Sequence, residues 1–150
     1  MEREMREALS RGLEILRRIH EIYPQGEFDR EMLHGEMDFR YRRIHELRRE
    51  LEKLPPEVRS FCLLVDTAPV SEAQLAGLFR MLLQGPEGLA AAWRSPDEPG
   101  AIAAAQELGI PRSALYQILG RMKLSRLLDA RHRLTPTGRA LVEAYITLEE

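Results

Sequence analysis

The chain has few of the residues and patterns that several functional classes require. Its 150 residues contain one cysteine, Cys62, so an internal disulfide is excluded. No apolar run approaches the roughly 20 residues of a membrane span, and residues 1–25 are too charged for a secretory signal. Zinc-finger spacing, a phosphate-binding glycine loop and a nucleophile elbow are all missing. We therefore expect a cytoplasmic protein that is not an enzyme and has no cofactor, metal or membrane association.

The composition is that of a folded protein. Hydrophobic residues make up 44% of the chain and charged residues 31%, which is typical of a globular protein and not of a disordered one. Cys62 has helical spacing with Val58, Phe61 and Val65, so we expect it to be a buried core thiol. The length allows one domain with a core of its own, and also allows a separate helical arm.

Apolar spacing predicts a mostly α-helical chain. Residues 1–54 are expected to form an N-terminal helical hairpin, stopped by Pro55 and Pro56, and residues 55–150 a second unit. In "SEAQ", Ser71 is expected to cap a helix together with Gln74. The helices are predicted at 3–22, 28–54, 57–66, 72–84, 101–108 and 111–123, with a short one near 86–93 and a last one after Thr135.

The second helix of the hairpin has a coiled-coil-like spacing. Apolar residues recur every seven positions, and the residues of this seam are Met37, Ile44, Leu47, Leu51 and Leu54. The hairpin is long for the remainder of the chain to cover, which favours an oligomerisation arm and a homodimer. The alternative is that both helices pack on their own domain. A protein partner could also bind through this hairpin.

A short break separates two helical patterns in "AIAAAQELGIPRSALYQILGRMK", residues 101–123. Gly109 can adopt the positive φ that ends a helix, Ile110 can enter the core, and Pro111 can begin the next helix. Two helices joined by such a short turn form a helix-turn-helix. Small residues such as Ala105 would allow the two helices to approach each other closely.

The second of these helices divides into two unlike halves. At about 100° per residue, the apolar residues lie on one half of the cylinder, and the other half contains no acid. Its groups can donate hydrogen bonds to phosphates and base edges. The residues of that half are Arg112, Ser113, Tyr116, Gln117, Gly120, Arg121 and Lys123.

Positive charge is concentrated around this motif, although the net charge of the whole chain is −2. From Glu107 to Arg139 there are 7 basic residues and 2 acidic ones, a local excess of +5. Such a concentration of arginine and lysine on one segment is typical of nucleic-acid binding.

Residues 101–145 resemble the winged helix-turn-helix of bacterial transcription regulators, particularly the MarR and PadR families. The continuation "SRLLDARHRLTPTGRALVEAY" is similar to their wing and following helix. The resemblance implies a recognition helix at 111–123 in the major groove of double-stranded DNA. It also implies a β-hairpin wing at 127–134 on the backbone or minor groove. The implied DNA-binding residues are Arg112, Ser113, Tyr116, Gln117, Arg121, Lys123, Arg131 and Arg133.

Two other functional classes compete with DNA binding. Winged helices also serve as protein-docking modules, in which case the arginine-rich half would meet an acidic protein. Glu31 and His34 form an E-x-x-H pair, the spacing found in di-iron bundles, but a working site needs a second such pair and none is present. We therefore expect specific DNA binding and transcriptional regulation, with protein docking as the alternative.

Overall fold

A computed structural model describes residues 2–22, 34–84 and 99–149, with side chains from 3–22, 41–84 and 102–149. This part of the chain forms seven α-helices. None of them combines the length and the apolar character needed to cross a bilayer. The helices are α1 (Glu2–Ile22), α2 (His34–Glu52), α3 (Pro56–Thr67), α4 (Glu72–Leu83), α5 (Pro99–Leu108), α6 (Arg112–Leu124) and α7 (Pro136–Glu149).

The helix ends follow local chemistry. Pro55 and Pro56 separate α2 from α3, since proline cannot continue a helix but fits its first turn. The predicted capping box is confirmed: Ser71 Oγ accepts from the N–H of Gln74 at 3.1 Å, and Gln74 Oε1 accepts from the N–H of Ser71 at 2.9 Å. The mostly helical fold class is confirmed, while the short helix predicted near 86–93 lies outside the described residues.

The core forms where α1, α3, α4 and α7 meet. The rings of Phe61 and Phe79 lie 5.4 Å apart between centroids, and both meet the ring of Tyr145 edge-on. Cys62 is fully buried in the same core, as predicted, and burial, followed by the charge of Asp66, raises its pKa to about 12. The thiol therefore keeps its proton at neutral pH and is part of the packing.

The apolar seam of α2 is buried inside this same chain. Ile44, Leu47 and Leu51 are all buried, and α2 packs against α1 and α3. Leu54 is partly buried against the same core, and the side chain of Met37 lies outside the described residues. Three of the residues predicted to face a second subunit, Ile44, Leu47 and Leu51, are thus covered by helices of their own subunit.

The predicted β-hairpin wing is wrong. In the described ranges no strand forms, and residues 127–134 contain only one isolated antiparallel bridge, between Leu128 and Leu134. Leu127 and Leu128 are both buried, whereas the side chains of a strand alternate between two faces. Arg126 and His132 have φ of 60° and 61°, so the chain turns immediately before this segment and again within it.

Candidate nucleic-acid interface

The corner between α5 and α6 is closed by backbone hydrogen bonds. Gly109 has φ of +70°, as predicted, and its N–H donates to Gln106 O at 3.2 Å. The N–H of Ile110 donates to Ala105 O at 3.0 Å, which completes a Schellman motif and turns Ile110 into the core. Gln74 Nε2 donates to Gly109 O at 3.1 Å, so α4 holds this corner from outside. The corner fixes the direction in which α6 leaves α5.

The two halves of α6 are placed as the sequence pattern predicts. The apolar half is buried, and it consists of Ala114, Leu115, Ile118, Leu119 and Met122. On the opposite half, Arg112, Ser113 and Gln117 are exposed, while Tyr116 and Lys123 are partly exposed. We call these five residues the α6 face. It carries two positive charges, several hydrogen-bond donors and no acid.

Arg121 has a different position from the other predicted DNA-binding residues. Its Nη2 donates to Thr67 Oγ1 at 2.7 Å and to Leu63 O at 3.4 Å, at the end of α3. The guanidinium therefore holds α6 against α3. Because Arg121 is only partly exposed and is bonded in this way, we assign it a positioning role.

The segment after α6 forms a compact turn at residues 129–133, here called the basic turn. Asp129 Oδ1 accepts from the N–H groups of Arg131 and Arg133 at 2.8 and 2.9 Å, and Asp129 Oδ2 pairs with Arg133 Nε at 3.3 Å. The buried ring of His132 lies 6.5 Å from the ring of Tyr116 between centroids. This contact packs the basic turn against Tyr116 of the α6 face, and Arg131 and Arg133 of the same turn are exposed.

Asp129 gives the basic turn a pH dependence that can be predicted. The N–H of Arg133, followed by the N–H of Arg131 and the Arg133 guanidinium, hold the pKa of the Asp129 carboxyl below 3.8. A carboxyl with a lowered pKa stabilises the fold above its unfolded-state pKa, and this contribution disappears as the pH falls through the folded-state pKa. We therefore expect Asp129→Asn to lower the melting temperature slightly at pH 7. The melting temperatures of Asp129→Asn and the unmodified protein should become equal at pH values well below 3.8. A difference in melting temperature that stays constant down to about pH 2.5 would contradict this role of Asp129.

Two residues near the interface carry features that the sequence analysis missed. Leu124, the last residue of α6, is 87% exposed, and the same 100° stepping that divides α6 places it among the polar residues, between Ser113 and Gln117. Arg126 ends α6 in the left-handed region, where glycine is the usual residue, and the N–H of Leu127 donates to Met122 O at 2.8 Å in the same motif. The sequence alone does not indicate that an arginine adopts this conformation at the end of α6.

No group of histidine, cysteine and carboxylate side chains in the described ranges could hold a metal ion. Glu31 of the E-x-x-H pair lies outside those ranges. Comparison of the chain with protein-family models, with curated proteins and with solved structures finds no match.

Proposed function

We propose that this chain binds double-stranded DNA in a sequence-specific manner, with α6 in the major groove, and that it regulates transcription. The observation that carries the proposal is the acid-free α6 face, exposed on a helix of 13 residues that leaves a rigid corner. Such a helix is about 20 Å long. The major groove, about 12 Å wide, admits an α-helix.

The charges around α6 support the same orientation. The only acid of the basic turn, Asp129, is bonded to the turn's own N–H groups and to Arg133. Arg131 makes no ion pair with another described side chain, and it is exposed. We propose that Arg131 contacts a phosphate beside the groove that α6 enters, since phosphate contacts fix the register of a protein on DNA.

A homodimer is part of this proposal. Helix-turn-helix proteins commonly bind two half-sites about one helical turn apart, with one recognition helix in each. Because Ile44, Leu47 and Leu51 are buried within one chain, a second copy would have to contact another surface, such as the outer side of α2 on which Tyr41 is exposed. Light scattering of the free protein and of its DNA complex measures the number of copies in each.

Arg112→Ala is expected to weaken binding to the preferred sequence by about 1–3 kcal/mol if Arg112 bonds a guanine edge. The preferred sequence is obtained by selection from random duplex DNA, and the affinity is then measured by fluorescence anisotropy. Arg3→Ala is the matched control, because it removes the same charge from an exposed position of α1. Equal affinity of Arg112→Ala and the unmodified protein across a panel of sequences would show that Arg112 does not select a base.

Arg131→Ala is expected to weaken binding to all sequences alike, because a phosphate contact carries no sequence information. The slope of log K against log salt concentration should become less steep by about one unit. Affinity is measured at four salt concentrations on a preferred and on an unrelated duplex. If the slope is the same as for the unmodified protein, Arg131 does not contact a phosphate.

A second candidate function is docking to an acidic protein through the same surface. This candidate rests on Leu124, which is 87% exposed at the end of α6 and is an apolar side chain that a protein interface would bury. Replacing Leu124 by Ser separates the two functions. DNA affinity should be unchanged, whereas a protein interface that buries this leucine would be weakened.

A further inference from the structure

A cleft of about 580 Å³ lies between α1, the end of α3, the start of α4 and the end of α7. Leu13, Leu16, Val65 and Val70 form apolar walls. Its volume falls within the roughly 300–1,000 Å³ of small-molecule sites, which combine apolar walls with a few placed polar groups. The cleft is separate from the α6 face.

The floor of the cleft contains a buried hydroxyl group without a partner. Tyr145 is 1% exposed, and its ring packs against Phe61 and Phe79. Its hydroxyl has no hydrogen-bond partner of normal geometry among the described residues, although the Glu149 carboxylate lies close enough to act on it as an acceptor. Burying an unpaired hydroxyl is unfavourable, so native structures normally provide a partner for it. A bound molecule that reaches the floor of the cleft would provide one.

The charges that line the cleft leave an excess of carboxylate. Arg17 is bonded to Glu14 and Glu21, and His20 pairs with Asp66 at 2.7 Å. The two remaining acids are Glu72 and Glu149, which make no ion pair with any side chain in the described ranges.

Both carboxylates act on the tyrosine at the floor. Burial, followed by the negative charge of Glu149 and Glu72 and by hydrogen bonding to the Glu149 carboxylate, raises the pKa of Tyr145 to about 12. The phenol is therefore neutral at pH 7, and its oxygen can accept a hydrogen bond from a cationic donor.

We propose that this cleft binds a small organic cation, an apolar body that carries a protonated amine. The apolar body would lie against Leu16 and Val70, and the ammonium group would donate to the Tyr145 hydroxyl oxygen. Glu149 and Glu72 would balance its charge. An amine of this kind donates to the buried hydroxyl and is also attracted by the two exposed carboxylates, whereas a neutral molecule lacks that attraction and an anionic one is repelled.

The walls of the cleft are bonded to the candidate DNA interface at two points. Thr67, next to Asp66 of the cleft, accepts the hydrogen bond from Arg121 of α6. Ser71, also in the wall, forms the capping box with Gln74, whose side chain donates to Gly109 O. A bound amine that displaces the end of α3 or the start of α4 would change the position of α6. This regulatory consequence rests on the proposed function, whereas amine binding does not.

The test uses three probes with the same body, 4-phenylbutylamine, 4-phenylbutanol and 4-phenylbutanoate, and the full chain without DNA. In ¹H–¹⁵N NMR titrations we expect the amine to shift the amide signals of Val70 and Glu149 and to bind at least about tenfold more tightly than the other two. Equal affinity of the three probes, tighter binding of the acid, or no shift at the cleft up to 10 mM amine would overturn the proposal.

Variants locate the binding group. Tyr145→Phe keeps the ring in the core and removes only the hydroxyl, and Glu149→Gln removes one charge at the exposed end of α7. Each should weaken amine binding at least about fivefold. Glu143→Gln, the same change elsewhere on α7, should leave it unaltered. Full affinity in both Tyr145→Phe and Glu149→Gln would place the amine elsewhere and overturn the assignment.

The regulatory consequence has its own measurement. Saturating amine should change the DNA affinity of the unmodified protein and leave that of Tyr145→Phe unchanged. An amine that binds in the cleft without changing DNA affinity overturns the coupling alone. If the chain binds no DNA at all, the amine titration still decides whether the cleft is a binding site.

Discussion

Gly138→Ala is expected to destabilise the chain by about 3 kcal/mol or more, which is at the upper end of the cost of overpacking. A Cβ atom at position 138 would lie 2.0 Å from the carbonyl oxygen of Leu127 and 2.8 Å from its carbonyl carbon. The obstacle is backbone, so no side-chain rotation can relieve it. The hydroxyl of Thr135 binds the same carbonyl at 3.3 Å and caps α7 by accepting from the N–H of Gly138 at 3.0 Å. Moving α7 away would break the hydrogen bonds that Thr135 donates to the Leu127 carbonyl.

Gly120→Ala provides the matched control. Gly120 also lies within a helix, but a Cβ atom there would meet no atom within 4 Å. Alanine favours helix over glycine by about 1 kcal/mol, so this variant should be as stable as the unmodified protein or more stable. Urea unfolding followed by circular dichroism measures the free energy of unfolding of Gly138→Ala and of Gly120→Ala. Equal free energies of unfolding for the two variants would show that α7 does not approach Leu127 closely.

The helix-turn-helix corner could be predicted because its causes are local. Gly109 is the residue that tolerates positive φ, and the apolar spacing of α6 places one half of the helix in the core. Ser71 and Gln74 likewise bond to each other across three residues. In each case the residues that determine the structure are close in sequence, so the pattern is sufficient to predict it.

The wing could not be predicted in the same way because its conformation depends on distant contacts. Leu127 is buried beneath the start of α7, and its carbonyl accepts from the N–H and the hydroxyl of Thr135. Burial of Leu128 beside it rules out the alternation of a strand. The order of residues resembles a winged helix, but the resemblance does not show that Arg126 and His132 adopt positive φ.

The seam of α2 illustrates a second limit of periodicity. Apolar residues every seven positions identify a helix face that must be buried. They do not show whether that face packs against the same chain or against another subunit. In the structure the apolar face of α2 packs against the chain's own core, formed in part by α1 and α3. The candidate cleft was likewise invisible in the sequence, because Tyr145, Glu72 and Arg17 come together only through the packing of three helices.

Leu47→Asp is expected to abolish folding of the chain. Leu47 is 0% exposed and belongs to the same core as Leu9 and Phe61. Removing a buried leucine already costs about 2–5 kcal/mol, and placing an unpaired carboxylate in its position adds the cost of desolvation. The sum is comparable to the whole stability of a domain, about 5–15 kcal/mol. Circular dichroism and light scattering of the purified variant measure its helix content and its mass.

The outcome of this substitution decides what the hairpin is for. If α2 were a separate oligomerisation arm, Leu47→Asp would give a folded monomer, because only the contact between subunits would be lost. If α2 is part of the core, as its burial indicates, the variant loses its helical signal whatever the oligomeric state of the unmodified protein. Tyr41→Asp is the control on the same helix, since Tyr41 is 55% exposed and its replacement should leave the fold intact. A dimer that becomes a folded monomer only in Tyr41→Asp would place the contact between subunits on the outer surface of α2.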